Sequence, residues 1–324
     1  MRALFVADPV GKWKVDRDTT PLMLRELWRR HGEAWLCTVA ELSLRDGEPR
    51  AWARPVSPGL CGASLELGSA QNLVMADFDV VHMRTDPPFD MNYYLATQVL
   101  ELASAHTLVV NDPLALRNLN EKLLILRFGA HAPESLVSAD VDAISNFVAE
   151  VGGRAVLKPL YRCSGQGVIL LESGTELQTA LPRVLDDNRG HVMVQRFLPG
   201  VTRGELRAMV IDGRVAGCML KVPRPGAFLS NLDAGASVQA CELTPPERAL
   251  LEEVGTWLAA HGVLFAAVDL IDGLLSEINI TSPGLLHEMN VLNGTQLEIE
   301  LQDAVERHQR CHFRHLGARL RSAS

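Results

Sequence analysis

Two apolar runs, 266–271 and 274–278, are joined by Asp272-Gly273, and two others, 207–211 and 215–222, by Asp212-Gly213. An Asp-Gly pair lets both central residues take up positive φ, the backbone conformation of a tight hairpin turn. The second half of the chain is therefore expected to hold antiparallel hairpins. Further strands are predicted at 155–160 and 168–171, around the glycine-containing loop 161–167, and at 193–198. Segments 245–261 and 296–308 have the length and composition of helices, so this half reads as α+β.

The first third has a different rhythm. Short apolar runs at 3–7, 78–83 and 108–110 read as strands, and 21–30 and 91–105 carry helical spacing. Such alternation predicts a largely parallel sheet with helices on its faces, and ligands tend to bind at the carboxyl ends of its strands. Asp8 and the stretch 84–90 follow strands and would line one crevice, or serve as capping and turn residues. A helix is predicted over 113–128, with Pro113 at its favoured start. The boundary between the two styles falls near residue 112, giving an N-terminal α/β domain over 1–112 and a second domain over 113–324.

Charge and length narrow the function. The 324 residues are 47% hydrophobic and 22% charged, with a formal net charge of -8. A nucleic-acid binder would show a basic face, so no nucleic acid is expected as partner, while anionic small-molecule substrates stay open because local fields can oppose the global sign. No apolar run approaches the roughly 18 residues of a membrane span, and charged residues from Asp8 onward argue against a secretory signal, so a cytoplasmic protein is expected. The cysteines at 37, 61, 163, 218, 241 and 311 contain no CxxC pair, and they are expected to be reduced and partly buried.

Four groups of residues carry the chemistry. Lys122 and Lys158, with the small-residue loop holding Ser164, Gly165 and Gly167, have the character of a phosphate site: point charges and close backbone N–H groups. Asp269, Glu277 and Asn279 span a predicted hairpin. Glu277 and Asn279 share a face, Asp269 sits across from them, and hard oxygen ligands of this kind suit magnesium. The strand that contains Gln195, Arg196, Phe197 and Leu198 offers a backbone edge. Arg207 and Lys221, on paired strands, would bind a carboxylate or stabilise developing charge, or stand as exposed surface cations.

The segments MRTDPPFD (83–90), NEKL (120–123), LKPL (157–160), FLPG (197–200) and VDLIDGLLSEINITSP (268–283) resemble the bacterial glutathione synthetases, members of the ATP-grasp superfamily. The similarity runs in order along nearly the whole chain. It implies an ATP-grasp fold with an N-terminal parallel-sheet domain, a small lid around 140–200 and a C-terminal ATP-grasp domain. It implies ATP and Mg2+ (or Mn2+) as cofactors, and a homo-oligomer. By position, Lys122 and Lys158 match the family's phosphate lysines and residues 195–198 its adenine hinge. Asp269, Glu277 and Asn279 match its metal ligands. Arg207 and Asn231 match residues near phosphates and substrate, and Lys221 replaces the usual arginine. Asp8, Arg84, Asp86, Ser282 and His287 fall on the substrate side. The implied reaction converts a carboxylate to an acyl phosphate, which an amine then displaces to form an amide.

The departures cluster at the substrate end. The lid loop reads KPLYRCSGQG, with Tyr161-Arg162-Cys163 where the family has an acidic residue and glycine. Ser237 and His287 stand where basic residues are usual. Loss of positive charge at two such places is expected to weaken binding of a carboxylate-rich substrate. Beside glutathione synthesis two alternatives therefore stand: a divergent peptide or amide ligase of the same fold, and a nucleotide-binding protein that no longer catalyses.

Overall fold

The strand Arg2–Ala7 is apolar on both faces and almost wholly buried, as a central parallel strand must be. In the computed structural model, which describes residues 1–59, 64–188 and 190–322, it lies between the parallel strands Glu33–Cys37 and Val80–Arg84. Leu108–Val110 adds a fourth parallel strand beyond Val80–Arg84. The expected parallel sheet is thus present. Its other side is antiparallel, which the sequence pattern did not announce. There the long strand Glu48–Pro58 pairs with Glu33–Cys37 and carries three short strands between 42 and 74. Pro49, Pro55 and Pro58 within it mask the period-2 pattern.

A second sheet is antiparallel throughout, in the order Ile169–Glu172, Arg154–Pro159, Val192–Arg196, Ser135–Ser138. The helices Val141–Glu150 and Thr175–Asp187 cover it, around a separate core that includes Ile144, Val148, Leu157, Leu181 and Val194. The third sheet has five antiparallel strands in the order Ser237–Gln239, Arg214–Val222, Glu205–Ile211, Phe265–Ile271, Leu274–Asn279. Both expected hairpins are here. Asp212 and Gly213 have φ of 50° and 76°, Asp272 and Gly273 φ of 51° and 75°. Helix Pro245–Ala260 packs on this sheet. Cys61 lies outside the described residues, and among those residues no helix is long and apolar enough to cross a membrane.

Two expected helices differ. The helix over 113–128 is broken: Pro113–Asn118 is α-helical, and the 3₁₀ segment Leu123–His131 follows. The Asn120 side chain explains the break. Its Oδ1 accepts from the backbone N–H of Lys122 and Leu123, and its Nδ2 donates to the carbonyl of Leu160. A side chain that bonds local backbone in this way offers the chain an alternative to the helix. Lys122 therefore stands at the start of a short turn and not on a continuous helix. The C-terminal helix is longer than expected, Leu297–Ser322.

One buried amide joins the first and third sheets. Asn111 is 4% exposed. It donates to the carbonyls of Phe265 (2.8 Å) and Ile280 (2.7 Å) and accepts from the N–H of Leu264 (2.8 Å) and Phe265 (3.0 Å). Replacing it strands several buried backbone groups, each of which carries its own desolvation penalty. Asn111→Ala is expected to lower unfolding free energy by about 3 kcal/mol or more, read from the urea midpoint. A loss below about 1 kcal/mol would mean that water takes over these bonds.

Candidate active site

The register of the third sheet assembles a charged cluster. Glu205 pairs with Lys221, Arg207 with Asp269, Asp269 with Glu277, and Ala267 with Asn279. Residues two apart on a strand share a face, so Glu205 and Arg207 point the same way, as do Glu277 and Asn279. This face, together with Val156, Lys158 and Gln195 of the second sheet and loops of the first, lines a cavity of about 320 Å3.

Within the cluster Lys122, Arg207 and Lys221 each have a carboxylate partner, whereas Lys158 is held by neutral oxygens. Arg207 donates from Nε to Asp269 Oδ1 (2.8 Å) and from Nη2 to Oδ2 (2.7 Å). Lys221 Nζ lies 2.8 Å from Glu205 and 3.3 Å from Asp269. Lys122 Nζ lies 2.9 Å from Glu277 and donates to the carbonyl of Arg162 at 2.6 Å. Lys158 donates to the carbonyl (3.0 Å) and Oγ (3.1 Å) of Ser276. Burial pushes the Asp269 carboxyl up, but Arg207 and Lys221 outweigh it and hold the group well below the usual carboxylate range. Glu277 follows the same logic, with Lys122 and Lys158 overcoming burial. Lys122 is held above its ordinary value because Glu277 outweighs burial, whereas burial wins at Lys158 and lowers it.

The donor set fits a hard divalent cation. Among the described residues no three His, Cys, Asp or Glu side chains converge on one point. Two carboxylates and an amide are neighbours on the sheet: Asn279 Nδ2 donates to Asp269 Oδ2 (3.2 Å), which leaves its amide oxygen for another partner, and Asp269 and Glu277 are direct cross-strand neighbours. Magnesium is usually held by one or two protein carboxylates, with phosphate oxygens and water completing the shell.

Two loops meet over the cavity. The Asn231 side chain donates to the Ser164 carbonyl, tying the 161–167 loop to the 231–235 turn. Ser164 and Gly165 line the cavity, and both have positive φ. Gly167 stands just outside the lining at φ 73°, where a Cβ would press Pro159 at 3.0 Å. The loop also docks on the first sheet's crevice, through Phe89 N–H to the Tyr161 carbonyl (2.9 Å). Gln195, Arg196, Phe197 and Leu198 all contribute to the lining. Gln195 donates to Ser135 Oγ (3.0 Å), and Arg196 pairs with Glu134 (2.7 Å).

The remaining residues singled out from sequence divide. Asp86 and Ser282 line the cavity and contact each other. Asp8 and Arg84 stand behind them. Asp8 accepts from the Asp86 N–H (2.8 Å). Arg84 is buried, donates to the Pro283 carbonyl (3.0 Å) and Thr20 Oγ1 (3.2 Å), and is pushed down by burial to about 10. His287 is on helix Leu286–Asn293 and Ser237 is exposed on its strand; neither is part of the lining.

Sequence reasoning missed Glu121, Glu205, Lys14 and Arg17, all of which line the cavity. Glu121 Oε1 accepts from the N–H of Ile280 (2.8 Å) and Thr281 (2.9 Å) and from Thr281 Oγ1 (2.9 Å), and its main-chain oxygen accepts from Ile278 N–H (3.0 Å). It clips down the strand that bears Glu277 and Asn279. Glu205 was legible in the hairpin register, since counting back from Asp212-Gly213 sets it near Lys221. Lys14 and Arg17 lie in the loop after the first strand and had no local signal.

Comparison with known proteins agrees with this architecture. The family model for the prokaryotic glutathione synthetase N-terminal domain matches residues 1–117, and that for the ATP-grasp domain of the same enzyme matches 121–294. The chain is 40% identical over 294 residues to a glutathione synthetase of Parasynechococcus marenigrum (strain WH8102), covering 90% of this chain and 94% of that one. It is 38% identical over 299 residues to a glutathione synthetase of Prochlorococcus marinus (strain MIT 9313), covering 92% and 96%. Among solved structures, D-cycloserine synthetase DcsG shares the fold, with TM-score 0.68 at 17% identity over 95% of this chain and all of that one. With both halves matched and the identity sustained along its length, the chain belongs to the prokaryotic glutathione synthetase family and is an ATP-dependent ligase that forms a C–N bond between a carboxylate and an amine.

Proposed function

We propose that the protein makes glutathione from γ-glutamylcysteine, glycine and ATP, with Mg2+ as its metal and Mn2+ as a substitute. The observation that carries this reading is the self-neutralised cluster. Lys122, Arg207 and Lys221 are each paired with Glu277, Asp269 or Glu205 in the ligand-free cavity. A metal–nucleotide pair is the ligand whose charges exchange with these without net cost: the carboxylates Asp269 and Glu277, with Asn279, would hold the metal, and the freed cations would take phosphate oxygens. The bound metal supplies neutralisation of the charge that develops between β- and γ-phosphates.

The chain's own groups then do positional work. Lys122 and Lys158, with the backbone of Ser164 and Gly165, hold the phosphates, and residues 195–198 hold the adenine. Arg207 and Lys221 steady the transferring phosphoryl group. A carboxylate oxygen of γ-glutamylcysteine attacks the γ-phosphorus and ADP leaves. The glycine amine then attacks the acyl carbon, loses a proton and expels phosphate. Asp86, Ser282 and Asn231 orient the substrates, supported by Asp8 and Arg84. No protein nucleophile is needed, so most of the acceleration comes from alignment and charge. The second sheet and its helices serve as the lid, over an N-terminal domain that ends near 112. A cytoplasmic location and a homo-oligomeric state accompany this reading.

One observation favours a second reading. Arg162 and Cys163 line the cavity in the loop where the resemblance implies an acidic residue and glycine at the start. A divergent ligase with another amine or carboxylate would follow from that. ADP release with γ-glutamylcysteine, measured with and without glycine and with product masses, separates the two. Glycine-dependent ADP with a glutathione mass is expected; ATP binding without it would favour the divergent ligase.

The metal assignment makes its own prediction. Glu277→Gln keeps the shape but removes a charge, and turnover is expected to fall by about 100-fold or more at ordinary magnesium, with the fold retained. Near-normal turnover would remove Glu277 from the metal site.

A further inference from the structure

Two cysteines outside the charged cluster face each other across a strand pair. Arg214–Val222 pairs with Ser237–Gln239 through Leu220↔Gln239, Lys221↔Val238 and Val222↔Ser237. The same register continued by two residues sets Cys218 opposite Cys241. Their sulfurs are 3.8 Å apart, and Cys218 Sγ lies 3.4 Å from the Cys241 carbonyl. Directly opposed strand residues have Cα separations of about 4.5–5.5 Å, inside the range that a disulfide spans. Both thiols are free and half-buried, so a small reagent can reach them.

The two sulfurs are not equivalent. The hydrogen bond from Cys241 lowers Cys218 to about 7 against the opposing effect of burial, and the charge of Arg248 adds to the lowering. The same hydrogen bond, together with burial, pushes Cys241 up. Glu247 and Glu242 also face the Cys218 thiol and oppose its ionisation. A thiol near 7 is well matched to attack on a disulfide at neutral pH, and a neighbour within reach can resolve the product. Cys37 and Cys163 are both raised by burial, so neither competes as a thiolate.

The position of the pair links it to the cavity. The strands it bridges are the two ends of the 223–236 excursion, of which Phe228, Ser230, Asn231 and Asp233 line the cavity. We infer that Cys218 and Cys241 form a thiol–disulfide exchange site for low-molecular-mass disulfides, closing into an intramolecular bridge at the neck of this loop. The Cys218 thiolate attacks one sulfur of the small disulfide RSSR. Its S–S bond breaks, one RS⁻ leaves and takes a proton, and Cys218 carries the mixed disulfide. The Cys241 thiol then gives up its proton, attacks Cys218 Sγ and expels the second RS⁻. Two protein thiols are oxidised by two electrons, and RSSR is reduced to two RSH.

The test needs no turnover, so it stands apart from the ligase reading. The full chain is treated with bis(2-hydroxyethyl) disulfide at neutral pH, then digested and mapped by mass without reduction. The wild type is expected to yield a linked peptide pair containing Cys218 and Cys241, lighter by about 2 Da than the free thiols, and to revert with dithiothreitol. Cys241→Ser is expected to stop at the mixed disulfide on Cys218, and Cys218→Ser to show neither link nor adduct at Cys241. Amide exchange over 223–236 is expected to slow in the bridged form. Adducts confined to Cys163 or Cys311, or a lasting mixed disulfide at Cys218 in the wild type, would overturn the exchange site. A bridge that leaves exchange over 223–236 unchanged would overturn its link to the cavity wall.

Discussion

Asp269 is a carboxylate at 1% exposure, and the bidentate grip of Arg207 is what makes its charge tolerable there. A lone ionised group in such a place would carry a desolvation penalty of several kcal/mol. The geometry follows from strand register, because Arg207 and Asp269 are direct partners between neighbouring strands. Lys221 closes the arrangement by reaching both Asp269 and Glu205. Ser230 bonds Glu205 in turn, so the 223–236 excursion is anchored to the same cluster. One pairing thus couples the centre of the third sheet to a wall of the cavity.

A buried cluster of this kind is weak as a source of stability, since apolar residues would fill the same space at less cost. Its physical value is that it is poised. The cations are already desolvated and the carboxylates already ionised, so the proposed anion–metal pair would meet charges that need little reorganisation. The clip formed by residues 120–122 serves the same end. Asn120 breaks the helix, Glu121 fixes backbone from 278 to 281, and Lys122 meets Glu277. Three consecutive side chains set the height of the strand that bears Glu277 and Asn279.

The hairpins were legible because their signal is local. Asp212-Gly213 and Asp272-Gly273 fix turn and register within a few residues, and from them the adjacency of Asp269, Glu277 and Asn279 could be counted. The helix over 113–128 failed for the opposite reason. Its apolar spacing is helical, but Asn120 gains more by bonding Leu160, forty residues away, than the helix gains by continuing. The antiparallel strands from 42 to 74 were also hidden, since prolines interrupt their alternation and their partners are set by the long strand Glu48–Pro58. Lys14 and Arg17 carry no pattern at all. They reach the cavity only because the loop after the first strand folds over toward Asp233 and Glu288.

That loop changes how the departures from the family pattern should be weighed. Ser237 and His287 remove positive charge from positions that lie outside the cavity lining, whereas Lys14, Arg17 and Arg162 place cations within it. The field at a site depends on the nearest charges, and a screened or displaced charge contributes little. A chain of net charge -8 therefore keeps cations at the cavity, matched against its carboxylates, despite both replacements. The 161–167 loop is the departure with direct reach. Arg162 and Cys163 stand in the cavity wall, and the Arg162 carbonyl accepts a hydrogen bond from Lys122 Nζ, the same lysine that neutralises Glu277. A change of residue there acts on the charged cluster through the backbone, so the identity of the loop bears on the Lys122–Glu277 pair as well as on the shape of the cavity.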